Sequence, residues 1–385
     1  MSDHRKIAVV TSTRAEYGLL SPIIKELRRQ EDKKLLQVDL IVTGTHLSDS
    51  YGFTVSEIQE RIDYKIPITT NSTTALDISY NQAEALTKFT ELFVNNAYDA
   101  VIVLGDRYEI LAVAIAAGNT RTPVFHISGG DTTEGAIDEW IRHAITKISY
   151  LHFVSNEVSR RRVIQLGEEP DRVFNYGSTS IDNIINLPKM TREEALKSVN
   201  MSDCKYALCT YHPVTMESQG VDEQINSFLA AIEAIPDLQF IVTKSNADQG
   251  GARINELLDQ AKLPNLHVFT SLGAKRYLSL MKYAEFVLGN SSSGIIETPA
   301  LHVPTVNIGD RQRGRLHSES IINCKESTTD IVEAIKFALS DKHKELCKTV
   351  KSPYGDGHAA ERIAAKSIEV VMAGTINLKK KFYDL

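Results

Sequence analysis

One tryptophan and four cysteines stand in 385 residues, and each scarcity narrows the reading. Cys204, Cys209, Cys324 and Cys347 have neither the paired spacing of a metal site nor the density of a disulfide scaffold. They read as buried or inert thiols, which suits the cytoplasm. Long apolar runs are missing too. The stretches 7–10 and 110–117 fall far short of the ~18 residues a membrane span requires, so neither an export signal nor an anchor is expected. Nor is there a surplus of basic charge: 43 Lys and Arg against 49 Asp and Glu leave a net charge of -6. That excludes a broad nucleic-acid face and leaves only local clusters such as Arg311, Arg313 and Arg315. Several catalytic signatures are absent as well. No Walker loop occurs, no Gly-x-Gly-x-x-Gly opens the first helix, no His-Glu-x-x-His marks zinc, and Ser293 spoils a Gly-x-Ser-x-Gly elbow centred on Ser291. The expected site therefore uses no metal and no cofactor, and its expected partner is a small anionic molecule.

What is present is core material, 42% hydrophobic residues, arranged as short β-branched runs alternating with amphipathic segments. That alternation is the mark of an α/β protein with parallel sheets wrapped by helices. It runs twice. Strands are expected over 7–11, 38–43, 100–104, 123–127 and 151–154, with helices over 22–30, 75–95, 109–119, 137–148 and 157–166. The second half repeats the plan with strands over 206–210, 239–243, 267–270, 286–288 and 305–308, and helices over 222–234, 252–261, 274–283 and 329–339. Two domains follow, residues 1–180 and 201–360, separated by a hinge over 177–200. A helical tail, 361–385, is placed so that it can pack back on the first domain.

Gly289-Asn290-Ser291-Ser292-Ser293-Gly294, between a strand and a helix, reads as a phosphate cradle. Small residues admit backbone N–H groups to an anion, hydroxyls add donors, and a helix start adds partial positive charge. Glu297 falls where it can accept from a ribose hydroxyl. A serine-capped turn is the plain alternative. In open α/β sheets ligands sit beyond the carboxyl ends of the strands, and those ends are polar here. Thr13-Arg14-Ala15-Glu16-Tyr17 follows the first strand, with Arg14 able to reach an anion. His46 and Asp49 follow the second. Gly105-Asp106-Arg107 puts a carboxylate and a guanidinium at the next strand end, where Asp106 either caps a helix or moves protons.

Further on, Ser128-Gly129-Gly130-Asp131 leads to Glu134, its glycines letting backbone approach a ligand. Asp138 and Arg142 share a helix face. Crowded carboxylates of this kind suit proton transfer, because burial and neighbours can set their pKa values apart. In the second half His212 and Asn246 follow strands and face the nucleotide side, and Arg311 closes the series.

Together, Thr13-Arg14-Ala15-Glu16-Tyr17, Gly105-Asp106-Arg107, Ile141-Arg142-His143-Ala144-Ile145-Thr146-Lys147, His212-Pro213, Gly289 to Gly294 and Gly309-Asp310-Arg311-Gln312 resemble the hydrolysing UDP-N-acetylglucosamine 2-epimerases of sialic-acid and legionaminic-acid synthesis. The resemblance implies two Rossmann-like domains in the glycosyltransferase-B-type arrangement, with a UDP-sugar in the interdomain cleft, and a homodimer or homotetramer. It implies conversion of UDP-N-acetylglucosamine and water to N-acetylmannosamine and UDP through a glycal. The same chemistry on UDP-2,4-diacetamido-2,4,6-trideoxy-glucose stands as the alternative. By motif, Asp106 and Asp138 are the implied acid–base pair, with Arg107 and Arg142 orienting. His212, Ser291, Ser292 and Arg14 fall on diphosphate positions and Glu297 on the ribose position, with His46, Asn246 and Arg311 as further substrate contacts. Many relatives carry glutamate where this chain has Ser128, and Asp131 or Glu134 is the expected replacement. A non-hydrolysing epimerase and a non-catalytic sugar-nucleotide sensor are the other readings. Clustered carboxylates disfavour the sensor, since an anionic ligand gains nothing from them.

Overall fold

The computed structural model describes residues 5–34, 36–49, 53–70, 74–132, 137–212, 220–245 and 251–385. The chain divides into two compact units, the first made of Met1–Asn183 with Gly357–Leu385 and the second of Ile184–Asp356.

The first unit is built on seven strands: β1 (Arg5–Thr11), β2 (Leu36–Thr43), β3 (Tyr64–Ile66), β4 (Ala100–Leu104), β5 (Val124–Ile127), β6 (Leu151–Val154) and β7 (Val173–Asn175). They lie in the order β3-β2-β1-β4-β5-β6-β7, every pair parallel. Both faces are covered, which is why these strands read as continuous apolar runs. Successive side chains point to opposite faces. Ile7 and Val9 join Leu20, Ile23 and Leu27 of the helix Arg14–Asp32, whereas Ala8 and Val10 join Phe89 of Ala75–Asn95 and Ile110 of Tyr108–Asn119.

The second unit repeats this plan with β8 (Tyr206–Thr210), β9 (Gln239–Thr243), β10 (Leu266–Phe269), β11 (Val287–Gly289), β12 (Thr305–Ile308) and β13 (Ile321–Cys324). Its order is β10-β9-β8-β11-β12-β13, again all parallel. Both sheets are doubly wound. In each, the order reverses once next to the first strand, between β1 and β4 and between β8 and β11.

Three strands escape the sequence pattern: β3, β7 and β13. All lie at sheet edges, where three or four residues pair on one side only and need no long apolar run. The first helix also departs from expectation. It begins at Arg14 rather than near Pro22, because Thr13 and Glu16 form a reciprocal capping box. Pro22 thus lies inside the helix and cannot donate to the Gly18 carbonyl. The Asn183 side chain fills that gap, its Nδ2 donating to Gly18 O at 2.6 Å.

The stretch 177–200, read as a hinge, carries two helices, Thr179–Asn186 and Arg192–Lys197. The helix Ala359–Ala373 returns to the first unit and packs on Arg14–Asp32. Asp182 receives its first N–H groups, from Ala360 at 2.8 Å and Ala359 at 3.2 Å. Among the described residues no helix is long and apolar enough to cross a membrane.

Candidate functional site

The point where a doubly wound sheet reverses its strand order opens a crevice at the carboxyl ends, and charged groups collect at both such points here. In the first unit the turn after β4 carries Asp106 and Arg107. Arg142, on the helix Ile137–Ile148, is 5% exposed and donates to an Asp106 carboxylate oxygen and, at 2.8 Å, to the Asp131 carbonyl. Arg142 thus ties the ends of β4 and β5 to one helix. His126 of β5 braces the same turn, with Nε2 2.8 Å from Gly105 O and Nδ1 3.2 Å from Thr146 Oγ1. Burial pushes its pKa down to about 3, so the ring is neutral and acts as a strut.

Asp138 is exposed on the first turn of the helix. Beside it Glu139, absent from the sequence-based set, accepts from Arg142 at 3.5 Å and lies 3.1 Å from His143 Nε2. Only its position before Ile141-Arg142-His143 could have flagged it.

Asp131 has a different setting. Its carboxylate meets Ser155, Asn156 and Ser159 at the start of the helix Glu157–Gln165, and only its main-chain oxygen faces Arg142. The glycines before it serve packing as well. Gly130 has φ +80, and a Cβ there would stand 2.3 Å from Ser159 O. The close approach is to the protein's own helix, where a ligand had been expected. Ser128 holds a left-handed backbone, φ 65, uncommon for a residue with a side chain. Glu134 lies outside the described residues.

At the end of β1, Glu16 is buried with Oε2 accepting from Ser12 N, Ser12 Oγ and Thr13 N. Burial first, then the charge of Glu109, push its carboxyl up to about 7 against the Ser12 donors and Arg107. Arg14, on the exposed side of that first turn, pairs with Glu57 at 2.9 Å. His46 sits just after β2, 1% exposed, with Nε2 3.2 Å from Thr11 Oγ1 and Nδ1 2.9 Å from Thr54 Oγ1. Burial lowers its pKa to about 4. Both ring nitrogens thus already face threonine hydroxyls.

In the second unit the reversal point is organised by Asn290, which is fully buried. Its side chain accepts from His212 N at 2.7 Å and donates to His212 O at 2.8 Å, extending β8 by one more rung. Gln312 Nε2 and Arg311 hold the Asn290 carbonyl at 2.8 and 3.1 Å. Gly289 permits the approach: its φ is +138, and a Cβ would stand 2.0 Å from Thr210 O. Asn290 and Gln312, quoted within motifs but given no role there, join three strand ends.

A cavity of about 390 Å³ opens here, lined by Thr210, His212, Thr243, Thr270, Ser271, Tyr277, Ser291 and Ser293 among others. Hydroxyls dominate it. Tyr277 OH lies 2.8 Å from Ser293 Oγ, and His212 Nδ1 lies 3.1 Å from Ser245 Oγ. Ser291 and Ser293 are the cradle serines on the wall, and Ser292 is not. The helix that follows is one turn, Ser293–Ile296, before a 3-10 turn Thr298–Leu301, so its dipole is smaller than a full helix would offer. Glu297 ends that turn, its carboxyl pushed up to about 7 by burial. Asn246 lies outside the described residues. A larger cavity, about 770 Å³, lies at the ends of β12 and β13; Arg313 and Arg315 of the basic cluster line it, and the other candidate residues do not.

Two doubly wound Rossmann-like units, one with carboxylates and guanidiniums at its switch point and the other with a hydroxyl-lined pocket at its own, define the class. Comparison with known proteins gives the family. The family profile described as UDP-N-acetylglucosamine 2-epimerase matches residues 26–367. A Campylobacter jejuni protein named GDP/UDP-N,N'-diacetylbacillosamine 2-epimerase (hydrolyzing) is 39% identical over 387 residues, covering 99% of both chains. A Legionella pneumophila protein named UDP-N,N'-diacetylbacillosamine 2-epimerase (hydrolyzing) is 35% identical over 363 residues, covering 93% of this chain and 94% of that one. Among solved structures, a Neisseria meningitidis UDP-GlcNAc 2-epimerase bound to UDP-GlcNAc superposes with a TM-score of 0.77 at 20% identity, over 94% of this chain and all of that one. That likeness shows the fold. The chain belongs to the UDP-N-acetylglucosamine 2-epimerase family.

Proposed function

We propose that this chain is a hydrolysing UDP-sugar 2-epimerase whose preferred substrate is UDP-2,4-diacetamido-2,4,6-trideoxy-glucose, the nucleotide of N,N'-diacetylbacillosamine. The observation that carries this is the near-full-length match to two relatives whose names specify both that sugar and hydrolysis. UDP-N-acetylglucosamine is the second reading, favoured by the description of the family profile.

The chemistry asks for two kinds of group. A base must take the weakly acidic hydrogen from C2 while the bond from C1 to the UDP oxygen breaks, leaving a glycal and UDP. Water then adds at C1 and a proton returns to C2 on the opposite face, giving the free 2-epimeric sugar. Carboxylates near the sugar and donors around the diphosphate serve those steps. Asp106 and Asp138 are the acid–base pair in this scheme. Arg142 holds Asp106 in one orientation and offsets its charge. His212, Ser291, Ser292, Arg14 and Arg311 receive the diphosphate, with Ser293 and Tyr277 added from the cavity wall, and Glu297 takes the ribose.

Turnover in deuterated water tests the scheme. Offered each sugar nucleotide in turn, the protein should release UDP and a free sugar labelled at C2, faster from the diacetamido substrate. Unlabelled product would refute elimination, and a UDP-linked epimer without UDP release would refute hydrolysis.

A further inference from the structure

Glu109 is a carboxylate in an unfavourable place. Between Glu109 and Gly118 the helix Tyr108–Asn119 is wholly apolar, with Ile110, Leu111, Ala112, Val113, Ala114, Ala116 and Ala117 all buried. Glu109 is its single charged side chain. An acid in a first helical turn is ordinary where it meets water. This one is 1% exposed. Its Oε1 accepts from Arg107 Nε at 2.5 Å, and its Oε2 has no hydrogen-bond partner among the described residues. Burying an ion with a single partner costs stability, and an apolar residue of similar volume would serve the core better.

Arg107 shows what the pair achieves. It caps the same helix one residue after Asp106, and its side chain is 37% exposed while its partner is buried. With Nε committed to Glu109, neither terminal amino group has a side-chain or backbone acceptor among the described residues. A guanidinium held by Nε is fixed in plane and presents a fork of donors outward. Glu16, the other carboxyl that acts electrostatically on this group, is pushed up to about 7 by burial and by Glu109. Glu109, bonded directly to Nε, is the partner that keeps Arg107 in place.

We propose that Glu109 is a positioning residue of the reaction, locking the Arg107 guanidinium so that both terminal amino groups meet an acceptor oxygen of the sugar at the carboxyl end of β4. This rests on the epimerase reading. Glu109 touches no substrate; it acts through Arg107, and its effect is on the alignment of C2 with the base.

A double-mutant cycle tests it. UDP release is measured for the wild type, Glu109→Gln, Arg107→Ala and the double variant, together with UDP affinity and Tm. Glu109→Gln should lower kcat by about 10- to 100-fold, with UDP affinity unchanged within about threefold. In the Arg107→Ala background the same change should cost almost nothing further. Equal losses in both backgrounds, or full activity of Glu109→Gln, would overturn the proposal. If Glu109→Gln does not fold, Arg107→Ala alone decides, because an intact Glu109 seat should let millimolar guanidinium restore turnover; no restoration overturns the lock. Wild-type protein inert toward both sugar nucleotides would instead remove the epimerase reading. The Arg107 Nε–H resonance, protected in the wild type and lost in Glu109→Gln, reports on the lock separately.

Discussion

Replacing Asn290 by alanine should break the second unit at its reversal point, at a cost that follows from the hydrogen bonds. Asn290 is fully buried and its amide closes a two-way bridge to the His212 backbone, N–H to Oδ1 at 2.7 Å and Nδ2 to the carbonyl at 2.8 Å. Alanine leaves both buried main-chain groups unpaired. Each such group costs ~1–3 kcal/mol, so the variant should lose ~2–6 kcal/mol. The Asn290 carbonyl, held by Gln312 and Arg311, is unaffected by the truncation. Asn290→Asp keeps the acceptor but sets a buried carboxylate oxygen against the His212 carbonyl, and should be at least as unstable as alanine. Because His212 lines the hydroxyl-rich cavity, UDP affinity should fall about tenfold in Asn290→Ala, or ~1.4 kcal/mol. Urea unfolding followed by far-UV circular dichroism measures the first effect and calorimetric titration with UDP the second. Ser292→Ala, whose hydroxyl caps no helix N–H, serves as the control for stability alone. A wild-type urea midpoint together with wild-type UDP binding in Asn290→Ala would refute the assignment of Asn290 as the organiser of this site.

Three further outcomes are expected. Asp106→Asn should lower turnover by ~100- to 10,000-fold with little change in UDP affinity, read by UDP release and titration; parallel loss of binding would contradict the division of roles. Tyr277→Phe removes the hydroxyl beside Ser293 and should weaken UDP by roughly three- to tenfold, about the worth of one hydrogen bond, without altering the fold. Glu16 should leave a signature in stability against pH. Its carboxyl rises from 4.5 to about 7 in the folded chain, so between those values the folded state holds a proton that the unfolded state has lost. Stability from this group is therefore full below pH 4.5 and declines as pH rises through about 7, by up to ~3 kcal/mol. Glu16→Gln should lose that slope, so the stability difference between variant and wild type changes across the window. Identical slopes for the two proteins across this window would rule the shift out.

Much of the architecture was legible because its causes are local. Strands 100–104, 151–154, 206–210, 239–243 and 305–308 coincide with their apolar runs, since a strand buried on both faces must be apolar throughout. The edge strands β3, β7 and β13 were not, because pairing with one neighbour leaves little mark on three or four residues. The helix start at Arg14 was present as a capping box, but Pro22 reads as a helix beginning unless Asn183, 165 positions from Gly18, is known to take the Gly18 carbonyl that proline cannot serve.

The candidate site divides the same way. Sequence alone determined which residue types follow which strands, and so placed Asp106, Arg107, His212 and Ser291 at strand ends. Tertiary structure decided which of them are committed elsewhere and what supports the rest. Asp131 turns its carboxylate to Ser155 and Ser159, His46 spends both ring nitrogens on threonines, and Asp106 is gripped by Arg142. Asn290 lies inside the cradle motif, but nothing in the motif shows that its side chain bridges to His212, and Glu109 was in no candidate set. The physical reason is that a hydrogen bond or a desolvated charge depends on what stands across the fold, and Asn290 meets His212 across 78 residues of chain.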